Sequence, residues 1–202
     1  MQAMVWYQSV LRATGERTPG DLQRLFFPNK PETVRSFQRY AKGEHPPRSQ
    51  EMKVPALVNV IGEAYEGTRR LFLHPLWIVL DSRLSFDKAG VEWAFCALHP
   101  EVADQFIVFD RASRIVGWDW DSLRSVIWAY PGTPSRVLDC LTAYLLILRY
   151  MRGLLGADEQ VIDNAENWTA EMLVALPTSE ELACVTTEMT AYVSRKYLSH
   201  DA

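Results

Sequence analysis

The chain has 202 residues, of which 48% are hydrophobic and 23% are charged, and its formal net charge is −4. This composition is typical of a soluble globular protein with one large domain or two small ones. Three widely spaced cysteines form no CxxC pair, and their odd number argues against a disulfide framework. We therefore expect buried thiols in a reducing compartment, which predicts a cytoplasmic protein.

Neither export nor membrane insertion is expected. The N-terminal sequence MQAMVWYQSVLRATGER lacks the basic start, long apolar run and small-residue cleavage site of a signal peptide. The most apolar stretches, LFLHPLWIVL and LTAYLLILRYM, are roughly half as long as the ~20 residues that a membrane-spanning helix needs.

Charge is divided unevenly along the chain. Residues 1–72 contain 11 Lys and Arg against 7 Asp and Glu, whereas residues 73–202 contain 10 against 18. The basic part is suited to a polyanion that the acidic part would repel. Uneven sampling of a modest excess is the alternative interpretation.

Capping signals delimit three predicted helices near the N-terminus. The first helix should end at Gly15, and the second should begin at Pro19 with Thr18 as its N-cap and Asp21 in its first turn. FPNKP should end the second helix, because proline cannot continue it. The third helix should cover residues 32–42, and a fourth apolar helix should begin near Pro55.

The rest of the chain is also predicted to be mainly helical. Glycine and basic residues in YEGTRR mark a domain boundary, which gives domains 1–68 and 69–202. The segment DQFIVFDRASRIVGWDW is the exception, because its β-branched and aromatic residues flank a turn and suit a short β-hairpin. Further helices are predicted at 87–98, 121–129, 134–155, 158–175 and 178–198, the last with Thr178 or Ser179 as its N-cap.

The third predicted helix has two different faces. Its apolar face contains Val34, Phe37, Tyr40 and Ala41. Its polar face contains Arg35, Ser36, Gln38, Arg39 and Lys42.

The segments VLRATGERTPGDLQRLF, ETVRSFQRYAKGEHPP and ALVNVIGEAY together resemble the phage-repressor-like helix-turn-helix family. The resemblance covers about the first 65 residues. The connection FFPNKP is longer than the turn which that family uses. The matching positions are the scaffold leucines Leu22 and Leu25, the buried Phe37, the aromatic Tyr40, Gly43, and Pro46 or Pro47.

The resemblance implies double-stranded DNA as the partner, with the third helix in the major groove. Arg35, Ser36 and Arg39 would then face base edges, and the remaining polar residues would hold phosphates. A solvated basic helix face is the alternative. The predicted DNA-binding residues are Lys30, Thr33, Arg35, Ser36, Gln38, Arg39, Lys42 and Arg48.

No catalytic motif is present in the sequence: HExxH, a Gly-rich phosphate loop and GxSxG are all missing. His74 and His99 each precede a proline inside apolar sequence, and packing or capping is the expected role. Asp119 and Asp121 either share a strand face that suits a metal ion, or Asp121 caps a following helix. We predict no enzyme activity, no cofactor and no metal site.

The segment RVLDCLTAYLLILRYMRGLLG is too apolar for a solvated helix. It is predicted to be either the central helix of the C-terminal domain or part of a homodimer interface. Together these features predict a bacterial or phage-type DNA-binding regulator whose acidic, tryptophan-rich second domain dimerises or binds a partner. The alternative is a non-enzymatic protein-interaction subunit of a larger assembly.

Overall fold

A computed structural model describes residues 1–44, 56–81, 88–106, 108–109, 115–117, 136–153 and 159–198. Most of these residues are helical, which confirms the predicted mainly helical class. Contacts divide the chain into two compact units, Met1–His74 (unit 1) and Pro75–Ala202 (unit 2). The sequence placed this boundary earlier, between residues 68 and 69.

Unit 1 contains five described helices, and local capping sets the ends of the first three. Gly15 ends the first helix in the left-handed conformation, with φ 74°. Thr18 caps the start of the second, as expected from the sequence, and it forms a complete capping box with Asp21. The helices are α1 (Gln2–Thr14), α2 (Pro19–Phe26), α3 (Thr33–Ala41), α4 (Ala56–Ala64) and α5 (Glu66–Phe72).

Trp6 of α1 lies at the centre of the unit 1 core. Its ring makes edge-to-face contacts with Tyr40 of α3 at 5.2 Å and with Phe72 of α5 at 6.2 Å between ring centroids. The contact with Phe72 explains why α5 belongs to unit 1. The indole N–H of Trp6 has no hydrogen-bond partner among the described residues. The buried core cluster contains Trp6, Tyr7, Val10, Leu22, Phe37, Val58, Ile61 and Phe72.

Unit 2 is also mainly helical, with a pair of two- and three-residue strands. These strands, β1 (Val108–Phe109) and β2 (Ile115–Gly117), pair antiparallel. The residues between the two strands lie outside the described residues, and so does the predicted helix 121–129. The helices of unit 2 are α6 (Leu76–Leu80), α7 (Lys88–Cys96), α8 (Pro100–Phe106), α9 (Val137–Arg152), α10 (Glu159–Ala175) and α11 (Thr186–Val193).

Helix α9 is the central helix of unit 2. It packs against α10, α6 and α7, and most of its side chains are buried by these neighbours. The apolar sequence of α9 is therefore explained by packing within the unit.

The predicted continuous helix 178–198 is wrong. Two short 3₁₀ turns, Leu176–Thr178 and Ala183–Val185, precede α11, which continues as a single π-helical segment, Ser194–Leu198. Ser179 accepts a hydrogen bond from the backbone N–H of Leu182, but it caps only an isolated turn. The chain turns between Ser179 and Val185 because this path buries both Leu182 and Val185.

The expectation of buried thiols is correct for Cys140 and wrong for Cys96, which is exposed on α7; Cys184 is half-buried. Trp93, one turn before Cys96, is 52% exposed. Because α7 buries Val91, Ala94 and Phe95, these two residues lie on its outer face. Across the described residues, no helix is long and apolar enough to cross a membrane.

Candidate nucleic-acid interface

The connection between α2 and α3 is fixed by Gln23 and Phe27. The backbone N–H of Phe27 donates to the carbonyl of Gln23 at 2.8 Å, and the buried side-chain amide of Gln23 donates to the carbonyl of Phe27 at 2.6 Å. The backbone N–H of Lys30 donates to the same Phe27 carbonyl at 3.0 Å. The Phe27 ring packs on Phe37 of α3, with centroids 6.5 Å apart. The long connection is therefore tied to both helices.

A Schellman motif ends α3. The backbone N–H of Glu44 donates to the carbonyl of Arg39 at 3.1 Å, and that of Gly43 donates to the carbonyl of Tyr40 at 3.0 Å. Gly43 has φ 67°, and a β-carbon at this position would lie 2.8 Å from the sulfur of Met4. Both the left-handed backbone and the close approach of α1 therefore favour glycine.

One face of α3 is packed into unit 1. Phe37 is fully buried, while Tyr40 and Ala41 are half-buried and pack against the core cluster; Val34 is also half-buried. Burial raises the pKa of the Tyr40 hydroxyl, and the nearby charge of Arg39 partly opposes this shift. The predicted apolar face of this helix is thus the packed one.

The opposite face of α3 carries a cationic strip, which consists of Arg35, Gln38, Arg39 and Lys42. All four side chains are exposed. The spacings of three, four and seven residues place them along one side of the helix over about 10 Å. They line a surface depression of about 350 Å³ together with Glu44.

The cations of the strip differ in their partners. Among the described residues, the side chains of Arg35 and Arg39 form no hydrogen bond or ion pair. Lys42 lies 3.8 Å from a carboxylate oxygen of Glu44. Two guanidinium groups at the centre and start of the strip are therefore available to an anionic partner.

The other predicted contact residues lie around this strip. Lys30 is exposed in the α2–α3 connection, whereas Thr33 and Ser36 are half-buried on α3. Arg48 lies outside the described residues, as do Pro46 and Pro47.

Sequence reasoning missed the roles of Gln23 and Glu44. Glutamine is rarely buried, so nothing in the local pattern singles out Gln23. The position of Glu44 depends on the Schellman motif, which Gly43 signals. The resemblance also implied that Leu22 and Leu25 are equivalent scaffold residues, but only Leu22 is buried; Leu25 is 48% exposed.

The histidines have the roles expected from the sequence. His74 is buried, and His99 Nδ1 accepts a hydrogen bond from the backbone N–H of Glu101 at the start of α8. Within the parts of the chain that the structure describes, no group of three His, Cys, Asp or Glu residues is arranged to hold a metal ion. Asp119 and Asp121 lie outside those parts.

We compared the chain with protein-family models, curated proteins and solved structures. None of the three comparisons finds a match. The assignment of a function consequently depends on the geometry and charge of the site alone.

Proposed function

We propose that unit 1 binds double-stranded DNA and that the protein is a DNA-binding regulator. In this proposal, α2 and α3 act as a helix-turn-helix pair with α3 in the major groove. The observation that carries the proposal is the cationic strip of Arg35, Gln38, Arg39 and Lys42 on the exposed face of a helix whose other face is buried.

The dimensions of the strip suit a groove. The major groove of B-DNA is about 12 Å wide and admits an α-helix, whose diameter with side chains is about 10–12 Å, and the strip follows the axis of α3 for about 10 Å. Guanidinium groups can donate two parallel hydrogen bonds to one guanine, and a glutamine side chain can contact either a base or a phosphate. The strip therefore carries the side-chain types that DNA recognition uses.

Support for the pairing of α2 and α3 comes from the connection between them. The Gln23–Phe27 hydrogen bonds and the Phe27–Phe37 ring contact join the two helices through the half-buried Phe27. Such rigid support favours DNA binding, because a helix that is already ordered loses less conformational entropy when it binds. Helix α1 adds to this support through the contact of Trp6 with Tyr40.

The residues divide into two proposed roles. Arg35, Ser36 and Arg39 contact base edges, while the lysines at the two ends of the surface, Lys30 and Lys42, contact phosphates. Gln38 lies between the arginines and contacts a phosphate. Arg35 and Arg39 therefore contribute to sequence discrimination, whereas each lysine contributes a part of the binding free energy that weakens as salt rises.

The test measures duplex binding by the full chain, with fluorescence anisotropy as the signal and a series of salt concentrations. The parent protein should bind a labelled random duplex with an affinity that falls steeply as salt rises. The double variant Arg35→Ala/Arg39→Ala should bind this duplex at least about tenfold more weakly and with a shallower salt dependence, since it removes two cations from the face that would contact the duplex.

A matched control removes two exposed arginines of unit 1 that lie outside α3. The variant Arg17→Ala/Arg70→Ala changes the net charge equally and should retain most of the affinity. Equal binding by the parent and the Arg35→Ala/Arg39→Ala variant would refute a role for α3. Equal losses in both double variants would indicate a general charge effect and no groove contact.

The exposed face of α7 favours a second candidate function, protein docking by unit 2 within a larger assembly. Trp93 is 52% exposed, and Cys96 and Ala97 are exposed beside it at spacings of three and four residues. Exposed tryptophans are enriched at the energetic centres of protein interfaces.

This second candidate has its own test. A Trp93→Ala variant should lose a protein complex that the parent retains on pull-down, while its duplex binding stays unchanged. A stable complex that requires Trp93, together with no duplex binding by the parent, would favour docking over DNA recognition. Retention of the complex by Trp93→Ala would exclude this face.

A further inference from the structure

Among the described residues that line the depression at the cationic strip, Glu44 is the one acidic residue. Its carboxylate lies 3.8 Å from the ammonium group of Lys42. Its backbone is held by the hydrogen bond to the carbonyl of Arg39, which completes the end of α3. The fold therefore places a negative charge at one end of a depression whose other ionisable side chains, among the residues that the structure describes, are positive.

The Lys42–Glu44 pair is weak enough to be exchanged. The side chains of Lys42 and Glu44 are 69% and 52% exposed. Exposed pairs of this kind contribute little to stability because solvent and salt screen them. Glu44 therefore partly offsets the charge of Lys42, and a phosphate that approaches Lys42 can displace Glu44.

We infer that Glu44 is an intramolecular competitor for phosphate at the Lys42 end of the cationic strip. This inference depends on the proposed DNA binding and deepens it, since it concerns how strongly the same surface attracts phosphate. Duplex binding exchanges the internal Lys42–Glu44 pair for a Lys42–phosphate contact. The exchange contributes little net affinity, so binding depends more heavily on Arg35 and Arg39.

The consequence is a lower sequence-independent affinity of the strip. A surface with three uncompensated cations would bind any polyanion of suitable spacing, because phosphate contacts carry no sequence information. Glu44 reduces this general attraction at one end of the strip. The base-edge contacts of Arg35 and Arg39 then supply a larger share of the total binding free energy.

The experiment measures the salt dependence of duplex binding for the full-length variant Glu44→Gln. Glutamine retains the backbone N–H that ends α3 and removes only the charge. We expect affinity for a random 30-base-pair duplex to rise about two- to fivefold at low salt. The gain should shrink as salt rises, because salt screens the Lys42–Glu44 pair of the parent. The slope of log affinity against log salt should therefore steepen by less than the ~0.9 of a whole phosphate contact, since Lys42 contacts phosphate in both proteins.

Two controls make this outcome specific. Glu63→Gln removes the same charge from an exposed position on α4 and should change affinity and slope less. In a Lys42→Ala background, Glu44→Gln should have no further effect, because the competed cation is gone. Hydrogen exchange of the α3 amides in each variant verifies that α3 is retained.

The outcomes separate the two proposals. If the parent does not bind duplex DNA, the proposed function itself is wrong. If the parent binds but Glu44→Gln and Glu63→Gln behave alike, only the competitor role is wrong. An effect of Glu44→Gln that persists in the Lys42→Ala background also overturns the competitor role.

Discussion

The side-chain amide of Gln23 donates a hydrogen bond to the backbone carbonyl of Phe27, while the backbone N–H of Phe27 donates to the carbonyl of Gln23. This reciprocal pair anchors the first residue after α2. Since the Phe27 ring packs on Phe37, the same residue also contacts α3. The long FFPNKP connection is thereby held at its first turn.

We expect Gln23→Leu to loosen the connection without unfolding unit 1. Leucine fills a similar volume but leaves the Phe27 carbonyl with one donor fewer, which costs about 1 kcal/mol. Hydrogen exchange of the Lys30 and Thr33 amides should become faster than in the parent. Gln8→Leu, a change at a half-buried position on α1, is the control; equal protection in the parent and Gln23→Leu would contradict the anchoring role.

Three glycines provide a graded test of backbone strain. Gly43 has a positive φ and approaches Met4, Gly15 has a positive φ and an open surround, and Gly67 has neither constraint. We expect Gly43→Ala to destabilise unit 1 by at least about 1–2 kcal/mol and Gly15→Ala by about 1 kcal/mol. Gly67→Ala should stabilise α5 by about 0.5 kcal/mol.

Hydrogen exchange of α1 and α3 amides in the full chain measures this order, because it reports opening of unit 1 separately from unit 2. If Gly43→Ala is no more destabilising than Gly67→Ala, the left-handed end of α3 does not matter for stability.

Acid should weaken the start of α2. The hydrogen bond from the Thr18 side chain holds the pKa of Asp21 below its ordinary value, with further lowering from the Thr18 backbone and Arg24. The pKa of Asp21 is therefore lower in the folded state than in the unfolded state, where it is about 4. The Asp21 carboxylate stabilises the fold above this pH, and its contribution is lost as pH falls through the pKa of the folded state.

Hydrogen exchange of α2 amides, corrected for the intrinsic effect of pH, should therefore show loss of protection as pH falls below about 4. Asp21→Asn should make this loss smaller, whereas Glu63→Gln on α4 should leave it unchanged. A loss of equal size in Asp21→Asn would assign the acid sensitivity to other groups.

Arg149 of α9 should be a main determinant of stability in unit 2. Its guanidinium donates to the carbonyls of Val79 at 2.5 Å and Asp81 at 3.0 Å, at the C-terminal end of α6. We expect Arg149→Met to destabilise unit 2 by about 2 kcal/mol, since hydrogen bonds to charged groups contribute about 1.5–3 kcal/mol.

Arg149→Lys should recover only part of the loss, because an ammonium group cannot reproduce the planar arrangement of donors. Lys196→Ala, at an exposed position, is the control. Protection of α9 amides against exchange is the measurement, and unchanged protection in Arg149→Met would contradict the role of this side chain.

The sequence was informative where structure is decided by neighbours in the chain. Gly15, Thr18 and Gly43 set the helix ends of unit 1 through local backbone preference and capping, so α1, α2 and α3 could be predicted closely. The bend before α11 could not, because it results from the burial of Leu182 and Val185 by the tertiary fold.

The same distinction applies to the candidate site. The spacing of Arg35, Gln38, Arg39 and Lys42 predicts one helix face, and the structure places them together. The position of Glu44 beside Lys42 and the burial of Gln23 depend on where the chain goes after each helix. Such contacts through space leave no periodic pattern in the sequence.

The carbonyl groups at the end of α6 also have a consequence for the order of folding. They accept hydrogen bonds from Arg149, and from the hydroxyl groups of Tyr192 and Tyr197. A helix of five residues has little stability of its own, so α6 depends on partners that the ribosome adds 70 residues later, for Arg149, and more than a hundred residues later, for Tyr192 and Tyr197. Unit 1 is a compact unit formed by residues Met1–His74. Because these residues leave the ribosome first, we expect unit 1 to fold while unit 2 is still being synthesised.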